Sequence, residues 1–127
     1  MSENCQCYVT INNRCSVPLK VQSAATDWGK WFGNPGEPIE IPAKQTKQAF
    51  GAAGRQSSAS GCDGTVIYQL GDNPNDWVKI YFSVPFGTGS KCEFRVEESH
   101  DDIVAAVEGF NPDAWVLNIM VKVVDAR

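Results

Sequence analysis

His100, the chain's single histidine, stands in a charged turn between Ser99 and the carboxylates Asp101 and Asp102. A general base needs a partner and a site that tunes its pKa, so a turn histidine of this kind reads as a solvated side chain. The serines of Gly54-Arg-Gln-Ser-Ser-Ala-Ser-Gly61 lack nucleophile-elbow spacing, and no phosphate-binding lysine follows those glycines. The acids are scattered among turns, and no acid–base pair is legible in their spacing. Five cysteines (Cys5, Cys7, Cys15, Cys62 and Cys92) make an odd count, and only Cys5-Gln-Cys7 approaches metal-ligand spacing. They predict reduced structural thiols. Catalytic residues, a metal and a cofactor are all unexpected, and the chain is not read as an enzyme.

Recognition is the better-supported chemistry. Trp28, Trp31, Phe32, Phe86 and Phe110 fall in loop-like segments, where large apolar rings stay in water unless something covers them. Tryptophan suits a boundary that is apolar on one side and wet on the other: a sugar, a partner protein or the bilayer interface. The alternative use for such rings is to fold back and close the open end of a sandwich.

The elements that must position them are strands. Thr65–Leu70 and Trp77–Val84 are rich in β-branched and aromatic residues and flank the turn formers Gly71–Asp76, which predicts a central hairpin. Alternation places Val78, Ile80 and Phe82 on its inner face. Tyr8–Asn12 and Leu19–Gln22, joined through Asn12-Asn-Arg14, read as a second hairpin. Ile39 and Ile41, between Pro38 and Pro42, form an edge-like piece. Gln45–Phe50 and Cys92–Glu98 are further strands. Ile103–Val107 is also read as a strand, although Ser99 and Asp102 have capping-box spacing that would suit a short helix. Trp115, Leu117, Ile119, Val121 and Val123 share one face of the longest alternating run, with Leu117, Ile119, Val121 and Val123 expected inward. Short strands separated by frequent turns predict an all-β, single-domain antiparallel β-sandwich over residues 1–127.

The 127 residues are 43% apolar and 20% charged, with a net charge of −4, an ordinary globular composition. An acidic surface disfavours nucleic acid and anionic lipid as partners. No apolar run reaches membrane-spanning length, and Met1–Gln6 has no signal-peptide core. The expectation is a protein that stays in the cytoplasm of its producer, or leaves without a signal peptide.

Several of these pieces resemble the aegerolysin family. Asp27-Trp-Gly-Lys-Trp-Phe32 is similar to its Ser-Trp-Gly-Lys segment. Gly54-Arg55, followed by Gly61, Gly64 and Thr65, resembles its Cys-Gly-Arg-Ser loop running into a Gly-Thr strand. Pro85-Phe86-Gly87 with Ser90-Lys91 resembles its Pro-Trp-Gly-Ser-Lys turn. The likeness covers nearly the whole chain, with departures. Val84 stands where fungal members carry a cysteine, Ser60 where some sphingolipid-binding members carry an acid, and the aromatic N-terminus is reduced to Tyr8-Val9. Pro85-Phe86 is nearer the bacterial, insecticidal branch. The resemblance implies a protein that binds membrane lipid (sphingolipid with or without sterol) and works with a larger pore-forming partner protein. Self-association is expected only at the target-cell membrane. It points to Trp28, Lys30, Trp31, Arg55, Ser60 and Phe86 as membrane-facing residues. A soluble lectin or protein-binding module using the same aromatics is the other reading.

Overall fold

In the computed structural model, residues 5–55, 61–87 and 91–127 are described. They form β1 (Gln6–Asn13), β2 (Leu19–Trp28), β3 (Lys30–Trp31), β4 (Thr46–Ala53), β5 (Cys62–Leu70), β6 (Trp77–Val84), β7 (Glu93–Glu98), β8 (Ile103–Glu108) and β9 (Val116–Asp125). Five strands in the order β3-β4-β1-β9-β8 make one sheet, and four in the order β2-β5-β6-β7 make the other. The period of two decides which side chains enter the space between them. Val78, Ile80, Phe82, Leu117, Ile119, Val121 and Val123 are all buried there, as the alternation predicts. Each large apolar side chain withdrawn from water contributes about 1.5–3 kcal/mol. The predicted central hairpin is the β5–β6 pair, and Ile103–Val107 belongs to strand β8.

Among the described residues the two sheets form a single β-sandwich whose ladders are antiparallel except one. The strands nearest the two chain ends, β1 and β9, pair in parallel, with Gln6 opposite Val116 and Asn13 opposite Val123. The expected opening hairpin is not formed. β1 pairs with β4 and β9, whereas β2 joins β5 in the other sheet. The intervening Arg14–Pro18 is too long for a two-residue hairpin turn, and Pro18 has no N–H to give to a ladder. It carries the chain across the sandwich instead.

The segment between Pro38 and Pro42 does more than cover an edge. Ile39 N–H donates to the Ala49 carbonyl in one sheet (3.0 Å), and Ile41 exchanges two 2.9 Å bonds with Leu19 in the other. It straps the open side of the sandwich, and the buried Tyr68 hydroxyl donates to its Ile39 carbonyl at 2.8 Å.

All five cysteines are buried and unpaired. Burial pushes the Cys7 thiol well up and the Cys62 thiol up to about 12, so both stay protonated at neutral pH. Reductant should therefore shift the melting temperature by less than about 2 °C, because a stabilising bridge typically contributes 2–4 kcal/mol. A larger drop on reduction in thermal unfolding would show that a disulfide forms and stabilises the fold.

Candidate functional site

At one end of the sandwich lie the finish of β2, the starts of β5 and β9, and the turn after β6. Trp28, the last residue of β2, pairs with Asp63 of β5 across a register shift between Thr26 and Trp28. An extra residue in one strand re-aims the side chain that follows it, and the Trp28 indole is left 65% exposed. Its backbone N–H donates to Asp63 Oδ1 at 2.9 Å, fixing both groups. The chain then turns from one sheet to the other at Gly29. Gly29 has φ +83°, and any side chain there would run into the Ala53 carbonyl oxygen. Only glycine meets both demands.

Phe86 is placed by a second close approach. Cys62 pairs with Val84, and Gly61 lies so near that a Cβ would strike the Val84 carbonyl oxygen and crowd Pro85. The Pro85 turn then presents Phe86, 41% exposed, opposite Trp28. Between the two rings is an open cleft of about 300 Å³, whose lining includes Asp63, Cys62, Ser83 and Pro85. Desolvation raises the Asp63 carboxyl above its ordinary pKa, with Asp27 adding to the rise and the Trp28 N–H opposing it. The cleft therefore combines two aromatic walls with one partly desolvated carboxylate. Such a set can hold an organic cation through ring faces and charge together.

The other residues singled out in the sequence divide. Lys30 is half-buried, with its ammonium 5.5 Å from the Phe32 ring centroid. It pairs with Ala53, two residues before the exposed Arg55, so both cations lie at this end, outside the cleft lining. Trp31 is half-buried and packs on the core rings of Phe50 and Phe82, at centroid distances of 5.9 and 6.3 Å. It closes the core below the site. Ser60 lies outside the described residues. His100 is exposed in its turn, where its Nδ1 accepts the Asp102 N–H at 3.1 Å.

Two further residues at this end are not singled out by the sequence. Asp63 looked like one more turn acid, and its Gly-Cys-Asp-Gly neighbourhood is the only hint that it opens a strand at a close crossing. Trp115 has inward parity, yet it is 43% exposed and meets Phe86 edge-on at 5.8 Å. Its parity is that of the core, but Gln6↔Val116 is the last pair of the β1–β9 ladder, so Trp115 lies beyond the covered region.

The fold is a β-sandwich with an open, aromatic-walled cleft at one end. The sequence model of the family described as Aegerolysin matches residues 6–126. This chain belongs to the aegerolysin family. Among solved structures, it is similar to RahU in complex with a TRIS molecule (TM-score 0.76, 15% identity, covering 98% of this chain and 97% of that one). It is also similar to IP-1A from Alcaligenes faecalis (TM-score 0.71, 19% identity, 99% and 94% covered). A third is the lipid-binding protein Nakanori (TM-score 0.75, 15% identity, 99% and 73% covered). At these identities the likeness is one of fold. No curated protein sequence is significantly similar.

Proposed function

We propose that this protein binds a membrane lipid through the cleft between Trp28 and Phe86, without catalysis. The observation that carries this reading is the pair of exposed rings facing each other across a partly desolvated carboxylate at one end of the sandwich. Rings at headgroup depth gain from their apolar faces, and the indole N–H can still bond to water or lipid. Asp63 and the ring faces suit the ammonium of a zwitterionic headgroup. Lys30 and Arg55 supply positive charge nearby for its phosphate. The ligand class is a sphingolipid, with or without sterol. Membership of the aegerolysin family supports lipid binding, as does the fold shared with a protein described as lipid-binding. In this reading the chain is the small targeting component of a two-part pore-forming or insecticidal toxin. A larger partner protein forms the pore at the target-cell membrane, and self-association begins there. The protein acts at target-cell membranes, outside the cell that produces it.

Co-sedimentation with vesicles tests this. Vesicles of phosphatidylcholine and cholesterol should retain little protein. Adding sphingomyelin or ceramide phosphoethanolamine should raise retention about tenfold or more, the scale of one specific headgroup contact set. Because the attraction is to a zwitterion, raising salt from about 0.05 to 0.5 M should weaken binding less than threefold or so. Equal retention on all vesicles would remove the sphingolipid preference, and retention on none with binding to a glycan array would replace lipid with the lectin reading.

A further inference from the structure

The aromatic surface at this end continues past the cleft. Phe86 lines the cleft and also meets the Trp115 ring at 5.8 Å, with the planes 86° apart. Trp115 directly precedes β9 of the five-stranded sheet, whereas Phe86 and Trp28 adjoin β6 and β2 of the four-stranded one. An indole held half in water beside a second half-exposed ring has no explanation in the core, where Trp31, Phe50 and Phe82 already stack together.

The mount is rigid. Gln6 N–H donates to the Trp115 carbonyl at 3.0 Å, and Cys92 N–H donates to the Pro112 carbonyl at 2.8 Å. Cys92 Sγ donates to the Ala114 carbonyl at 2.9 Å. Asp113 N–H donates to Asn111 Oδ1 at 2.9 Å, and the Asp113 carboxylate is paired with Lys91. The turn carrying Trp115 is thus pre-ordered, and its nearby charges neutralise each other. A pre-ordered turn loses little entropy when its ring enters another phase.

We infer that Trp115 is a second membrane anchor. This rests on the lipid reading above. The cleft selects the lipid headgroup, and Trp115 enters the boundary between headgroups and acyl chains of the same bilayer. The bilayer is the occupant the geometry favours because Phe86 is common to both surfaces. A lipid seated against one side of that ring brings the membrane plane to the other. Trp115 therefore governs how long the protein stays bound, while Trp28 and Asp63 govern which lipid it binds.

The test uses vesicles of equimolar phosphatidylcholine, sphingomyelin and cholesterol, with a matched set in which ceramide phosphoethanolamine replaces sphingomyelin. Dissociation is followed for the wild type and for Trp115→Phe, Trp115→Ala and Trp115→Glu. Quenching of tryptophan fluorescence by brominated phosphatidylcholine is measured for the wild type and Trp115→Phe. Trp115→Phe should dissociate within about threefold of the wild type and Trp115→Ala about tenfold faster, with an unchanged preference between the vesicle sets. Trp115→Glu should not be retained, because a carboxylate resists the headgroup–acyl boundary. The wild type should be quenched more strongly than Trp115→Phe. If Trp115→Ala melts early, this quenching difference decides alone. Identical quenching, or variants that dissociate like the wild type while Trp28→Ala is not retained, overturns this inference and leaves the lipid reading standing. A wild-type dimer in solution that Trp115→Glu makes monomeric assigns the patch to a second copy. A wild type retained by neither vesicle set removes the lipid reading and this inference with it.

Discussion

Asn13→Ala should destabilise the protein by about 2–5 kcal/mol, and Asn13→Asp by at least as much at neutral pH. Asn13 is fully buried at the end of β1, and it is the one buried polar residue among those described. Its Nδ2 lies 3.0 Å from the Val17 carbonyl, 3.2 Å from that of Ile41 and 3.1 Å from that of Pro42. Its Oδ1 accepts the Cys15 N–H at 2.9 Å. Two N–H groups thus serve three carbonyl oxygens, tying the crossing to β2 and the Ile39–Ile41 strap into one knot. Removing the amide takes the Asn13 donor from the Val17 carbonyl and leaves those of Ile41 and Pro42 with only the Leu19 and Gln45 N–H groups, while the Cys15 N–H loses its acceptor. A carboxylate of the same shape would place negative charge against the three carbonyl oxygens. Acidification should then restore part of the Asn13→Asp loss, because a protonated carboxyl can donate once. Thermal unfolding reads both variants, and falls of about 7 °C or more are expected for a chain of this length. Melting of Asn13→Asp like the wild type at neutral pH would mean that the backbone donors of Leu19 and Gln45 suffice and the amide is not needed there.

Trp28→Ala should reduce vesicle binding about a hundredfold or more, the loss typical of a central aromatic anchor, and leave the melting curve almost unchanged. The dissociation of the two effects is what the geometry demands. The indole is 65% exposed, so little core packing is lost, while the backbone bond to Asp63 remains. A variant that melts early would show a ring that closes the core. Asp63→Asn separates the charge from the scaffold, since an amide oxygen can still accept the Trp28 N–H. It should weaken binding of an ammonium-bearing headgroup about tenfold. The wild type should show a matching pH dependence. The Asp63 pKa is raised by desolvation, so the carboxylate is lost, and binding with it, as pH falls through a value above the ordinary aspartate pKa. Asp63→Asn should bind equally across that range. A wild type whose binding is level through the same titration places the cation elsewhere.

Much of the core was written in local pattern. Period-two alternation in Trp77–Val84 and Val116–Asp125 names the inward residues because parity along a strand is set by the pleat alone. The turn formers of Gly71–Asp76 predict the central hairpin for an equally local reason, and Trp28 and Phe86 stand out because glycine and proline interrupt the strands beside them.

Partner choice is different, because it depends on where distant chain segments run. Nothing local in Tyr8–Asn12 shows that it pairs in parallel with β9, or that Leu19 belongs to the other sheet. Asn13 reads as a turn residue until the strap arrives from Ile41 and Pro42 to receive its amide. Parity states which way Trp115 points. Only the ladder shows that β1 stops at Gln6 and leaves that ring beyond the core. The cleft likewise exists only because Asp63 and Phe86, 35 and 58 residues beyond Trp28 (63 − 28 and 86 − 28), are brought beside it by the β2–β5 and β5–β6 ladders. The sequence by itself determines the side to which each strand residue faces. What covers that side is a property of the assembled sheets, because burial needs a second surface that no local stretch contains.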